Sequence, residues 1–189
     1  MKTTSIAGSL LCVAFFLIFS TPAASQLPSV IVKDIKGKAV DTSTLGNDGK
    51  PFIIDFWATW CKPCVRELKA IDEVYEEWEA QTGVKIYAVS IDEAQNSAKV
   101  KPFVDGMGWH YEVLLDPNGD FKNAMNIKTV PATIVCNGKG KVMEMHTGYV
   151  EGGEEELYEV VKKYSQPLDS IKSDTLTLNR EQDEEKSLR

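Results

Sequence analysis

An apolar segment that ends in two cysteines constrains the fold of this chain more than any other feature. Residues 51–58 are β-branched, aromatic or otherwise apolar except for Asp55, which is typical of a buried strand. Cys61 and Cys64 follow after a short corner, and apolar residues recur at helical spacing over 62–80. The pattern therefore predicts a Cys-x-x-Cys at the N-terminus of a helix. Unpaired N–H groups and the helix dipole stabilise a thiolate there, and the thiolate is the nucleophilic form of cysteine.

The remaining apolar pattern predicts an α/β domain built around this corner. A second apolar strand over 84–91 follows the helix, so that strand, helix and strand form a βαβ unit. The other predicted elements are a hairpin within 30–45, a helix at 97–107, a strand at 111–115, helical turns at 121–127, a hairpin of strands 132–136 and 141–146, and a helix at 154–164.

The two ends of the chain differ in composition from the predicted domain, which covers 26–164. Residues 1–25 have the features of a secretory signal peptide: Lys2, an apolar run, and small residues before Gln26. We expect cleavage near Gln26 and a location in the periplasm or elsewhere outside the cytoplasm. An uncleaved membrane anchor is the alternative, although the run is shorter than the roughly 20 residues that span a bilayer. Residues 165–189 are predicted to form an acidic, disordered tail.

The net charge argues against some classes of partner, and the compartment affects the redox state of the cysteines. The net charge of −7 comes without a basic patch, which argues against nucleic acid or an anionic membrane as a partner. In an oxidising compartment the Cys-x-x-Cys can persist as a disulfide. Cys136 stands alone in a predicted strand, where a buried apolar thiol is expected in preference to a third redox partner.

Two motifs resemble the thioredoxin superfamily. They are Asp55-Phe56-Trp57-Ala58-x-Trp60-Cys61-x-Pro63-Cys64 and, much later, Val130-Pro131-Ala132-Thr133. With the N-terminal hairpin, Glu67 and Leu114-Leu115-Asp116-Pro117-x-Gly119, the chain is similar to the exported TlpA/ResA-type thiol-disulfide oxidoreductases. The resemblance implies a thioredoxin-like fold, with a central mixed β-sheet flanked by helices and an N-terminal β-hairpin. It also implies a cis peptide bond before Pro131, facing the cysteines.

The redox chemistry is assigned to the two cysteines and a carboxyl group. Cys61, at the exposed end of the helix, is expected to attack, and the more shielded Cys64 to resolve the mixed disulfide. Asp55 lies in an apolar strand and Glu67 follows Cys64 by three residues, so either could handle the proton of Cys64. The resemblance assigns a buried acid to the Asp55 position in thioredoxins and to the Glu67 position in ResA-like proteins. A hydrogen-bonded core acid and a solvated helix charge are the respective alternatives.

The client-binding residues are expected around the cysteines and the distant proline. Trp60 and Pro63 adjoin the cysteines, and the resemblance implies that Val130 and Pro131 shape the groove for a client backbone. A plain strand-start proline is the alternative for Pro131. The isolated histidines, His110 and His146, are taken as structural.

The resulting hypothesis is an enzyme that reduces protein disulfides outside the cytoplasm, without a cofactor, and is itself re-reduced by a membrane thiol-disulfide electron donor. An oxidant would use the same residues at a less negative potential. The alternatives are a structural disulfide, a thiol peroxidase, and a non-catalytic module that binds a metal or a partner. A peroxidase would need a Thr and an Arg around the cysteine, a pattern not found here, and zinc would need two more ligands at suitable spacing, so no metal is expected.

Overall fold

The apolar segment before the cysteines forms a long strand near the middle of a seven-stranded sheet. The computed structural model describes residues 26–165. The strands are β1 (Ile31–Asp34), β2 (Ala39–Asp41), β3 (Gly49–Trp57), β4 (Lys85–Ser90), β5 (Glu112–Leu115), β6 (Ala132–Gly138) and β7 (Val142–Thr147). The helices are α1 (Lys62–Thr82), α2 (Ala94–Ser97), α3 (Val100–Met107), α4 (Asp120–Ala124) and α5 (Gly153–Ser165), with a 3₁₀ turn at Thr42–Thr44.

The sheet is mixed, with the strand order β2-β1-β5-β4-β3-β6-β7. Strands β3, β4 and β5 run parallel to one another, while β6 is antiparallel to β3 and β7 is antiparallel to β6. The N-terminal hairpin of β1 and β2 adds to the far edge through an antiparallel pairing of β1 with β5. The predicted thioredoxin-like fold is therefore confirmed, including its N-terminal hairpin.

The side chains of β3 alternate between two hydrophobic clusters, one on each face of the sheet. Ile53 and Trp57 belong to the cluster that packs against α1, α3 and α5, and this cluster contains both cysteines of the motif. Phe52, Ile54 and Phe56 belong to the cluster under α4 and the N-terminal hairpin. Because side chains alternate along a strand, Asp55 lies on the same face as Ile53 and Trp57.

Helix α1 packs one side against the sheet and ends at a glycine. Its buried residues are Cys64, Glu67, Leu68, Ile71 and Trp78, at the spacing of one helix face. Gly83 ends the helix with φ +67°, and its N–H donates to the carbonyl of Glu79.

The segment predicted as one helix over 97–107 is divided in the structure. Helix α2 ends at Ser97, and α3 begins at Val100. Pro102 is the third residue of α3, in the first turn, where a missing N–H costs no intrahelical hydrogen bond. The position of the proline thus explains why α3 begins just before it.

None of the helices within residues 26–165 combines the length and the apolar character needed to cross a bilayer. The predicted signal peptide, residues 1–25, lies outside the described residues, and so does the tail beyond Ser165.

Candidate active site

The two cysteines of the motif are joined in a disulfide where α1 begins. Their Cα atoms are 5.3 Å apart. Cys61 is the N-cap of α1, and its Sγ accepts the N–H of Cys64 at 3.3 Å. Pro63 lies in the first turn of α1, where the N–H that proline lacks would have no intrahelical acceptor. Cys61 is 5% exposed whereas Cys64 is fully buried, so Cys61 is the member of the pair that keeps some contact with solvent.

A buried acid holds the corner that leads into the cysteines. Asp92, which follows β4, accepts the backbone N–H of Thr59 at 2.9 Å and the Thr59 hydroxyl at 2.6 Å. The hydroxyl of Ser90 donates to the same carboxylate at 2.9 Å. Sequence reasoning missed this group. The available signal was that polar residues follow two adjacent parallel strands, whose carboxyl ends meet at one edge of the sheet.

The sequence-predicted client-binding residues lie at this same edge. Trp60 is 62% exposed beside the disulfide. The peptide bond between Val130 and Pro131 is cis. Since Ala132 pairs with Phe56 at the end of β3, the register brings Pro131 to the strand end from which the cysteine corner departs. The strand register therefore brings residues from two distant parts of the chain to the end of β3 that precedes the disulfide.

Asp55 is fully buried on the sheet face that packs against α1. Neither of its carboxyl oxygens has a hydrogen-bond partner within residues 26–165. Burial, followed by the charge of Glu67, raises the pKa of Asp55 well above its usual range. Burial thus favours the neutral form of this carboxyl group, and the nearby Thr133 hydroxyl opposes the rise in pKa.

Glu67 is a second buried acid on the same side of the sheet. It is only 6% exposed, which contradicts the alternative of a solvated helix charge. The hydroxyl of Thr133 donates to its Oε1 at 2.9 Å. Burial raises the pKa of Glu67 to about 7, and the nearby charge of Glu154 adds to the rise. Glu67 can therefore gain and lose a proton near neutral pH.

A groove opens beside these carboxyl groups, between β7 and α5. Its volume is about 540 Å³, and its lining includes Glu67, Thr133, His146 and Glu156. His146 lies directly opposite Thr133 across the pairing of β6 with β7. This histidine, interpreted as structural from the sequence, thus shares a groove with the buried acid of α1.

Comparison with known proteins identifies the family. The profile of the AhpC/TSA family matches residues 23–145, which include the disulfide, both buried acids and the cis proline. The chain belongs to the AhpC/TSA family.

Proteins similar to this AhpC/TSA chain include two curated thiol-disulfide oxidoreductases named ResA. The one from Halalkalibacterium halodurans is 32% identical over 141 residues, covering 74% of this chain and 77% of the relative. The one from Bacillus subtilis is 30% identical over 153 residues, covering 77% and 83%. Among solved structures, an uncharacterized thioredoxin-like protein from Porphyromonas gingivalis is 59% identical, with a TM-score of 0.67 over 74% of this chain and 91% of that one.

The AhpC/TSA chain also has features that bear on the alternative functions. Within residues 26–165, no group of three or more His, Cys, Asp or Glu side chains is arranged to hold a metal ion. Arg66, the only arginine in that range, is exposed on α1. Cys136 is fully buried on the opposite sheet face, and burial raises the pKa of its thiol to about 12.

Proposed function

We propose that this protein reduces disulfides of client proteins outside the cytoplasm. A disulfide at a helix N-terminus and relatives about 30% identical make the chain a thiol-disulfide oxidoreductase of the ResA type. The observation that carries the proposal is the unequal burial of the two cysteines, since Cys61 is 5% exposed and Cys64 is fully buried.

The proposed reaction begins with the dithiol form. The Cys61 thiolate attacks one sulfur of the client, a Cys61–client S–S bond forms, and the client S–S bond breaks. The released client thiolate takes up a proton. The helix N-terminus favours the attacking thiolate, because the dipole and the unpaired N–H groups stabilise negative charge.

The second half-reaction releases the client. Cys64 loses its proton and its thiolate attacks Sγ of Cys61, which restores the Cys61–Cys64 disulfide and expels the second client thiolate. Two electrons thus pass from the cysteine pair to the client. Asp55 and Glu67 are the carboxyl groups that we assign to the proton of Cys64. A dithiol donor of the membrane must then return the two electrons.

Trapping of mixed disulfides tests the assignment of the two cysteines. Cys64→Ala should accumulate clients linked to Cys61, since the resolving thiol is gone. Cys61→Ala is the matched control and should trap none, while Cys136→Ala should behave as the wild type does. Equal trapping by the Cys61→Ala and Cys64→Ala variants would contradict the assigned roles.

The direction of electron flow is tested by the redox potential of the pair. A reductant should equilibrate near the value of thioredoxin, about −270 mV, and an oxidant near that of DsbA, about −120 mV. The proposal of a reductant rests on the resemblance to ResA-type proteins. A potential close to the DsbA value would overturn it.

The location and the domain limits are also part of the proposal. We propose that residues 1–25 direct export and are removed near Gln26, that 26–164 form the catalytic domain, and that 165–189 are a tail. Cell fractionation with N-terminal sequencing tests this. A cytoplasmic protein that retains residues 1–25 would contradict it.

A further inference from the structure

We propose that the Thr133 hydroxyl joins Asp55 and Glu67 into a proton relay, which carries the proton of Cys64 to the groove between β7 and α5. This inference rests on the proposed dithiol chemistry, and it assigns to Thr133 a positioning role within that chemistry.

The relay brings together residues from three elements. Asp55 on β3 and Thr133 on β6 are direct partners in the antiparallel register, so their side chains lie on the same face of the sheet. Glu67, on α1, accepts a hydrogen bond from the Thr133 hydroxyl at 2.9 Å. The hydroxyl therefore stands at the junction of the two carboxyl groups.

The hydrogen-bonding capacity of these groups is only partly used. No group in the described part of the chain hydrogen-bonds to either oxygen of Asp55 or to Oε2 of Glu67. A hydroxyl donates one proton and accepts through its lone pairs. Thr133 can thus accept a proton from Asp55 as it passes its own proton to Glu67, and rotation of the hydroxyl resets the relay.

The relay has an inner end and an outer end. Asp55 is fully buried, and the groove touches Glu67 and Thr133 but neither Asp55 nor a cysteine. Asp55 lies on the face that packs against Cys64, as its position between Ile53 and Trp57 on β3 requires. Asp55 therefore serves the cysteine side, and Glu67 exchanges protons with the solvent of the groove.

The steps balance without any change in electrons. Neutral Asp55 sends its proton through Thr133 to the Glu67 carboxylate, which releases a proton into the groove. The Asp55 carboxylate then takes the proton of the Cys64 thiol. The sum is a Cys64 thiolate and one proton in the groove, with both carboxyl groups back in their starting states.

Several titratable groups lie around the relay. The charge of Glu154 favours the protonated form of Glu67. Burial, followed by the charges of Asp72 and Asp55, raises the pKa of Tyr111. The other groups at the groove are His146 from β7, Glu156 from α5, and Tyr149 from the loop between them.

A pair of substitutions separates the hydroxyl from the shape of Thr133. Thr133→Val removes the hydroxyl and keeps the volume, whereas Thr133→Ser keeps the hydroxyl. The readout is single-turnover release of a client peptide from Cys61, measured against pH. Thr133→Val should slow release at least about tenfold and remove the dependence on a group that titrates near neutral pH, as loss of a proton-transfer path predicts. Thr133→Ser should retain the wild-type pH profile.

The controls distinguish failure of the relay from failure of the proposed function. Thr147→Val removes a hydroxyl from the lining of the same groove and should leave release unchanged. If wild-type protein never forms a mixed disulfide, the proposed function fails. If the wild type captures and releases client while Thr133→Val keeps its rate and pH profile, only the relay is overturned. Equal slowing by the Val and Ser variants would likewise overturn it, because the hydroxyl would then be irrelevant.

A titration of the two carboxyl groups tests the relay in the wild-type protein. Carbon-13 NMR of the carboxyl groups in the oxidised wild-type protein should show Asp55 and Glu67 titrating jointly, with two inflections at shared pH values on each signal. Independent single-step titrations of the two carboxyl groups would contradict the relay.

Discussion

Glu67 gives the protein a stability that depends on pH. Its pKa is about 7 in the folded protein and about 4.5 when it is unperturbed, so between these values the folded state binds more protons than the unfolded state. The free energy of unfolding therefore falls as the pH rises from about 4.5 to 7, by up to roughly 3 kcal/mol for this residue. Asp55, whose pKa is also raised, acts in the same direction.

We expect Glu67→Gln to flatten this dependence, because glutamine keeps the shape of the side chain but cannot ionise. The variant should be more stable than the wild type at pH 8 and differ little at pH 5. Urea unfolding of the oxidised protein at both pH values measures the effect. Glu76→Gln, on the exposed side of α1, is the matched control. A wild-type pH slope that survives in Glu67→Gln would contradict the assigned pKa.

Asp92 stabilises the corner that precedes the cysteines. Asp92→Ala leaves the N–H and hydroxyl of Thr59 and the hydroxyl of Ser90 without their acceptor. Because hydrogen bonds to a charged group contribute about 1.5–3 kcal/mol each, we expect a loss of at least about 2 kcal/mol in urea unfolding. Asp105→Ala, which removes an exposed pair with Lys101, should cost less than about 1 kcal/mol.

Sequence patterns locate some of these residues and not others. Asp55 is conspicuous because it interrupts an apolar strand. Glu67 has charged neighbours in a helix, so its burial cannot be read locally, and Thr133, which binds it, lies 66 residues away. The relay depends on strand register, which no local pattern specifies.

The pairing of β3 with β6 is sensitive to the size of one residue at its end. A Cβ on Gly138 would lie 1.8 Å from the carbonyl oxygen of Gly49 on the neighbouring strand. We expect Gly138→Ala to separate the strand ends and to destabilise the protein by about 1–3 kcal/mol, the usual cost of overpacking. Gly46→Ala, where a Cβ meets open space, is the control for urea unfolding. Equal effects of the two substitutions would contradict the close approach.

Local sequence patterns predict most strands and helices because their apolar periodicity is strong. Local patterns do not predict the hydrogen bonds that hold the start of α4. Asp116 lies within the motif Leu114-Leu115-Asp116-Pro117-x-Gly119, and its carboxylate accepts the backbone N–H groups of Phe121 and Lys122, at the start of α4. This family motif therefore also has a local physical role, because Asp116 satisfies free N–H groups at the start of the short helix α4.

The whole molecule separates its reactive thiols from its inert one by the thickness of the sheet. Cys61 and Cys64 lie in the cluster under α1, and Cys136 lies in the cluster on the other face. After reduction under native conditions, we expect Cys61 to be alkylated first, because Cys64 and Cys136 are fully buried. Cys136 should react only on unfolding, since burial also raises the pKa of its thiol. Mass spectrometry locates the labels, and labelling of Cys136 at the rate of Cys61 would contradict this.

The exposure of Trp60 gives the protein a built-in optical reporter. It is the one indole of four that solvent reaches freely, since the other three tryptophans are buried: Trp57, Trp78 and Trp109. A dissolved collisional quencher such as acrylamide should therefore extinguish mainly the red-shifted part of the emission, and Trp60→Phe should abolish that component. Because Trp60 flanks the disulfide, a bound client should shield it and move the spectrum to the blue. Client docking can then be followed by fluorescence without an added dye.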